Sequence, residues 1–132
     1  MIVDASAAVA IIRGEPEAEL MALAMEAANA VRVSAATYFE TSSVIDSYRN
    51  SVLSRRLDDF FEQPEITIEQ VTFEQARIAR QAYRDYGKGS GHPAQLNFGD
   101  CFSYALARDK REPILFKGDD FGHTDLRSAL KE

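Results

Sequence analysis

What most constrains this chain is a rhythm in which short β-branched segments are separated by stretches of helical spacing. Met1 to Ser6 reads as a short strand ending in Asp4, and Val31-Arg32-Val33 as a second. Ile66 to Val71 is the third and Pro113 to Phe116 the fourth. Between them lie helix signals. Ser6 is placed to cap a helix over Ala7 to Arg13, and Pro16 suits the first turn of a helix from Glu17 to Asn29. Ser34 begins a helix to about Tyr48. Asn50-Ser51 begins another through Phe61, stopped by Pro64. Thr72, with Gln75 three residues on, is a capping-box start for a helix to Tyr86. Strands that alternate with helices pair in parallel and need cover on both faces. The expected fold is therefore α/β: a three-layer α/β/α sandwich around a mainly parallel sheet of four to five strands, forming one domain over residues 1–132. Gly87 to Pro93 reads as a flexible loop inside that domain, suited to a flap over a site. Asp125 to Glu132 reads as a loosely held terminal helix.

The stretch from Leu96 to Lys110 is the most informative. Phe98, Cys101, Phe102, Ala105 and Leu106 recur at the spacing of one helical face, which predicts a packing stripe. Asp100 falls roughly opposite the middle of that stripe, beside Asn97 and Tyr104. Taken alone, Asp100 suits a capping box with Asn97 and the positive end of the helix dipole. A role in chemistry needs partners from elsewhere in the chain.

Composition narrows the classes. At 45% hydrophobic and 27% charged the chain is an ordinary globular one. Nothing at the N-terminus resembles a signal peptide, and the longest apolar run, Ala5 to Ile12, is too short to cross a bilayer. Cys101 is the only cysteine, so no internal disulfide can form. A soluble cytoplasmic protein with no membrane partner is expected. The net charge of −6 has the wrong sign for holding nucleic acid by a general basic surface. A polyanionic partner would have to rely on a local basic patch and on metal ions.

Open α/β sheets bind ligands beyond the carboxyl ends of their strands, which picks out Asp4 and the Asp119-Asp120 pair. Glu40 shares a face with Ala36, Phe39, Ser43 and Val44, a stripe expected to be buried. A buried glutamate is rare unless paired or bound to metal. Asp4, Glu40, Asp100 and one of Asp119 and Asp120 are thus expected to meet at one end of the sheet. Two unit charges at about 4 Å repel by about 4 kcal/mol at an effective dielectric of 20, which a chain tolerates when a cation is the intended partner. All-oxygen ligands suit Mg2+ or Mn2+, and no Cys/His set suits zinc. Such an ion activates water and clamps phosphate, so phosphodiester hydrolysis is the expected chemistry.

Four blocks in order carry a resemblance. Ile2-Val3-Asp4-Ala5-Ser6, Glu40 in a helix after Ser34-Ala35-Ala36-Thr37, Leu96 through Ala105, and Leu115-Phe116-Lys117-Gly118-Asp119-Asp120-Phe121 together resemble the PIN domain. More narrowly they resemble the VapC toxins of type II toxin–antitoxin modules. The resemblance implies an Mg2+-dependent endoribonuclease acting on a structured RNA such as tRNA or rRNA, with Mn2+ as a possible substitute. It also implies a homodimer held inactive by a VapB-type antitoxin, in a heterotetramer or larger complex. Asp4, Glu40 and Asp100 match the first three acids of the family quartet. Asp120, directly before Phe121, matches the fourth, with Asp119 as a supporting residue. Ser6 matches a hydroxyl two residues after the first acid, and Asn97 a polar residue beside the site. Asp4, Asp100 and Asp120 would be metal ligands, and Glu40 would hold or orient water.

RNA needs cations. Arg77, Arg80, Arg84 and Lys88 fall on one side of the helix from Thr72 if its spacing runs on into Lys88, with Tyr83 and Tyr86 adjoining. Lys117, beside the acid turn, is another phosphate candidate. The apolar helices Ala7 to Ile12 and Leu20 to Ala28 offer surface for a dimer or antitoxin. Two other classes compete: a phosphoacceptor receiver-like domain, and a non-catalytic PIN-like RNA-binding module. Two successive helices after the second strand speak against the first, and the complete acid set against the second.

Overall fold

The computed structural model describes residues 1–130. Its elements run β1 (Ile2–Val3), α1 (Ala5–Arg13), α2 (Ala18–Ala27), β2 (Val31–Ser34), α3 (Ala35–Ser47), α4 (Ser51–Phe61), β3 (Ile66–Glu69), α5 (Phe73–Tyr86), α6 (Phe98–Lys110) and β4 (Ile114–Leu115), followed by a 3-10 turn over Asp120–His123. The four strands form a parallel sheet in the order β3-β2-β1-β4, so β1 lies inside the sheet.

Strand pleating explains the two helical layers. Val3, Val31, Val33 and Leu115 point into a core with α1 to α4, whereas Ile2 and Ile114 point into one with α5 and α6. β1 and β4 are wholly apolar and buried, whereas Arg32 interrupts β2 and β3 is fully buried only at Ile66. The expected α/β/α sandwich with four strands is what forms.

Several local expectations change. Asp4, not Ser6, is the N-cap of α1. The buried residues of α1 are Ala5, Ala7, Ala8, Ala10 and Ile12, so that helix is largely committed to the core. Of the first two helices, it is α2 that keeps large apolar side chains exposed, Leu20 and Leu23. On α3 the core side is Thr37, Thr41 and Ile45, while Phe39 and Val44 are exposed. On α6 burial runs almost all round from Cys101 onward, including Tyr104, whereas Phe98 is 77% exposed. The helix is packed on several sides, but its first turn projects beyond that cover.

Lys88 lies off α5, because the helix stops at Gly87, whose backbone is extended. A Cβ there would sit 2.2 Å from the Tyr83 carbonyl oxygen, so this exit needs glycine. The loop after it is laced to itself. Lys88 N–H donates to the Leu96 carbonyl, Leu96 N–H to that of Tyr86, and the His92 ring meets Tyr86 edge-on. Asp125 to Leu130 forms no helix; Ser128 bridges Ile114 in parallel along the free side of β4. Residues 131 and 132, the end of the expected terminal helix, lie outside the described residues.

Candidate functional site

β1 delivers Asp4 to the carboxyl end of the sheet, where it is 2% exposed. A buried carboxylate needs donors for its lone pairs. Oδ2 accepts from Ser6 N–H at 3.0 Å and from Ser6 Oγ at 2.7 Å. Ser6 Oγ in turn accepts from the Lys117 N–H at 2.9 Å, tying α1 to the segment leaving β4. Oδ1 accepts from Ser103 Oγ at 2.6 Å, and Ser103 lies 3.1 Å from Thr37 Oγ1. The Asp4 side chain thus bonds α1 and α6 directly and, through their two hydroxyls, is linked to α3 and to the segment leaving β4.

Sequence reasoning missed Ser103 and Thr37. Both are buried hydroxyls in helix interiors, where such residues ordinarily bond their own backbone. The available signal was that Ser103 lies one helical turn after Asp100.

Asp100 occupies the first turn of α6. Its Oδ2 accepts from Asn97 N–H at 3.0 Å while Asn97 Oδ1 accepts from Asp100 N–H at 2.8 Å, a complete capping box. The structural role foreseen for this residue is therefore real, and it does not exhaust the residue. Burial pushes the Asp100 carboxyl up to about 6, with the charges of Asp4 and Asp120 adding to the rise; the Asn97 hydrogen bond and Lys88 oppose it. Glu40, carried on α3, is raised further, to about 7, by burial and then by Asp4 and Asp100. Its Oε1 is buried with no hydrogen-bond partner, and no ion pair to an arginine forms among the described residues.

Phe121, 3% exposed and edge-on to Phe116, anchors the 3-10 turn that carries Asp120. Asp120 stands near enough for its charge to be felt at Asp100. Asp119 caps the turn without a side-chain hydrogen bond. The expected acids therefore share one region, although no His, Cys, Asp or Glu trio among the described residues is already drawn into a cage for a metal ion.

The cations divide. Lys88 acts on Asp100 through space. Arg77, Arg80 and Arg84 line a groove along α5 with Glu74, Ile78 and Gln81; Arg77 lies 3.7 Å from Glu74, and Arg84 3.7 Å from Asp85. Arg80 also borders an apolar cleft with Tyr83, Phe98, Cys101 and Phe102, which reaches the first turn of α6. Lys117 is engaged elsewhere: its ammonium pairs with Glu15 and, at 3.3 Å, with Glu17.

Comparison with known proteins agrees with this layout. Residues 1–126 match the family profile described as the PIN domain. Ribonuclease VapC28 of Mycobacterium tuberculosis is 57% identical over 130 residues, covering 98% of each chain. Ribonuclease VapC42 of the same species is 50% identical over 129 residues, again covering 98% of each. Among solved structures, Mycobacterium tuberculosis VapC20, described as a toxin that cleaves the sarcin–ricin loop, superposes with a TM-score of 0.75. It covers 95% of both chains at 16% sequence identity, a likeness of fold. With its parallel sheet, its acids gathered at the carboxyl end and relatives of this similarity along its length, the chain belongs to the PIN-domain family, in its VapC ribonuclease branch.

Proposed function

We propose that this chain is a divalent-metal-dependent endoribonuclease, the toxin of a type II toxin–antitoxin pair, hydrolysing RNA phosphodiester bonds. The observation that carries the reading is the gathering of Asp4, Glu40, Asp100 and Asp120 with no ion-pair partner for any of them among the described residues. A fold that needed these acids only for stability would have paired them.

The donor set fits Mg2+ or Mn2+. All donors are carboxylate oxygens, burial and the neighbouring carboxylates raise the proton affinity of Glu40 and Asp100, and Glu40 keeps a buried oxygen with nothing bonded to it. Asp4, Asp100 and Asp120 would hold the ion, which supplies positive charge for the phosphate oxygens and lowers the pKa of a bound water. The residues do the rest. Ser6 and Ser103 fix both oxygens of Asp4, so its orientation is set before any ligand arrives. Asn97 does the same for Asp100. Glu40, whose carboxyl is raised to about 7, orients the attacking water and accepts its proton. Lys88 and Arg80, with Tyr83 and the exposed ring of Phe98 nearby, provide phosphate contacts and stacking surfaces. Arg77 and Arg84 extend that path along α5, and Asp119 supports the turn.

The partners follow the branch: an RNA substrate, a VapB-type antitoxin, and a second copy of the chain, joined in a heterotetramer or larger assembly. Exposed Leu20 and Leu23 on α2 support a protein partner on that side. No helix among the described residues is long and apolar enough to cross a membrane.

The test is cleavage of a mixed pool of structured RNAs by purified, antitoxin-free protein. Cleavage should need Mg2+ or Mn2+, stop with a chelator, and fall on the order of 1,000-fold or more in Asp100→Asn. Well-folded protein that cuts no RNA in either metal would leave the binding-module reading in its place.

A further inference from the structure

The first turn of α6 contains a glycine that helix formation does not call for. Gly99 follows the N-terminal Phe98, and glycine is a poorer helix former than alanine. What it accommodates is another helix's side chain. A Cβ at position 99 would lie 2.2 Å from Glu40 Oε2, 2.5 Å from its carboxyl carbon and 2.6 Å from Oε1. Real Cβ atoms essentially never approach within 3.0 Å. All three atoms of the carboxylate therefore rest against the bare backbone of α6.

Nothing else visible holds Glu40 in place. Its Oε1 is buried and unbonded, and neither of its oxygens has an ion-pair or hydrogen-bond partner among the described residues. The charges of Asp4 and Asp100 are felt at its carboxylate, so they push it away from the position it occupies. A flexible glutamate in this situation would swing to water unless shape kept it in.

We propose that Gly99 is a positioning residue: the space left by its missing side chain is the seat of the Glu40 carboxylate, turning it toward Asp4 and Asp100. Through that seat Gly99 sets the affinity of the acid group for a divalent cation, an inference that rests on the metal-dependent reading above. A methyl group there would evict the carboxylate, because the atoms it strikes are the far end of a flexible side chain. The backbone would not need to move.

A double-mutant cycle on the purified, antitoxin-free protein tests this, using Gly99→Ala, Glu40→Ala and both together. Mn2+ affinity is read by calorimetry, and melting is read without metal. Gly99→Ala should weaken Mn2+ binding about tenfold in the wild-type background and less than about twofold where residue 40 is already alanine. In that Glu40→Ala background Gly99→Ala should also raise the melting temperature, since only the helix preference for alanine remains. Wild-type Mn2+ affinity in Gly99→Ala would overturn the seat, as would equal weakening in both backgrounds. Loss of folding by Gly99→Ala in the Glu40→Ala background would overturn it too, because the clash would then lie elsewhere. If the wild-type chain binds no Mn2+, the metal-dependent reading falls separately. The seat is then judged on melting alone, and additive shifts overturn it.

Discussion

Helix α6 carries charge at both of its ends and treats it differently at each. At the C-terminal end the Met1 amine pairs with Glu112, and Arg32 bonds Glu112 at 2.8 Å and Glu69 at 2.9 Å; Lys110 lies 3.9 Å from Glu69. Burial alone would push the Glu112 carboxyl up. The hydrogen bonds from the Met1 amine and Arg32 outweigh it and hold the group below the ordinary carboxylate range. Arg32, bonded to Glu112 and Glu69, is raised in return. At the N-terminal end the same kind of burial raises Glu40 and Asp100, and no bonded cation answers it. The chain can neutralise buried carboxylates, and does so where only folding is at stake. Leaving Glu40 and Asp100 unneutralised costs stability, a cost that the proposed ligand site would account for.

The comparison can be broken by removing one acid from each end. Glu112→Gln should lower stability by about 2 kcal/mol in denaturant titration at pH 7 with RNA cleavage unchanged, because charge-assisted hydrogen bonds are lost. Asp100→Asn should do the reverse, raising the melting temperature of the metal-free protein while removing cleavage. A destabilised Asp100→Asn would show the capping box outweighing the repulsion. A smaller effect is expected at Ser103→Ala, about 1 kcal/mol, from the lost bond to Asp4 Oδ1, with weaker Mn2+ binding as its functional signature.

The subtlest prediction concerns pH. An acid whose folded pKa lies above its unfolded value keeps its proton longer when folded, so the folded state loses ground as pH rises between the two. For Glu40 and Asp100 that window runs from about 4, where unfolded carboxyls ionise, to about 7. Metal-free protein should therefore melt a few degrees lower at pH 7.5 than at pH 5, and Mg2+ should reverse the loss. Glu112, lowered by its partners, works in the opposite sense and withdraws its contribution as pH falls below the ordinary carboxylate range. A melting temperature flat from pH 5 to 7.5 without metal would mean that neither burial nor the neighbouring charges raise Glu40 and Asp100.

Much of this was legible in the chain itself. β-branched runs and capping residues marked all four strands and the helices between them, because those signals are local. Asp4, Glu40, Asp100 and Asp120 stood out because acids at strand ends and inside helices are hard to assign to packing. The helix faces were less legible. The core side of α3 is built on Thr37 and Thr41, whose hydroxyls disguise it, so Phe39 and Val44 seemed the better candidates. Phe98 fitted the apolar stripe of α6, but a stripe cannot reveal that the first turn overhangs its neighbours. Lys88 required knowing that Gly87 would turn the chain out of its helix. The Ser128 bridge depends on Ile114 having a free side, a property of the assembled sheet. Lys117 lies beside the acid turn in sequence, yet Glu15 and Glu17 reach its ammonium from the junction between α1 and α2.

The interior place of β1 has a consequence for timing. β1 is made first, but its pairing with β4 and the Lys117 to Ser6 bond both wait for residues more than a hundred positions later. Asp120 is made later still. Contacts of such separation form only after the intervening chain exists. A chain still in synthesis thus holds Asp4 and Glu40 without the strand and turn that complete their surroundings. For an enzyme whose substrate is RNA, the order of the strands doubles as a delay.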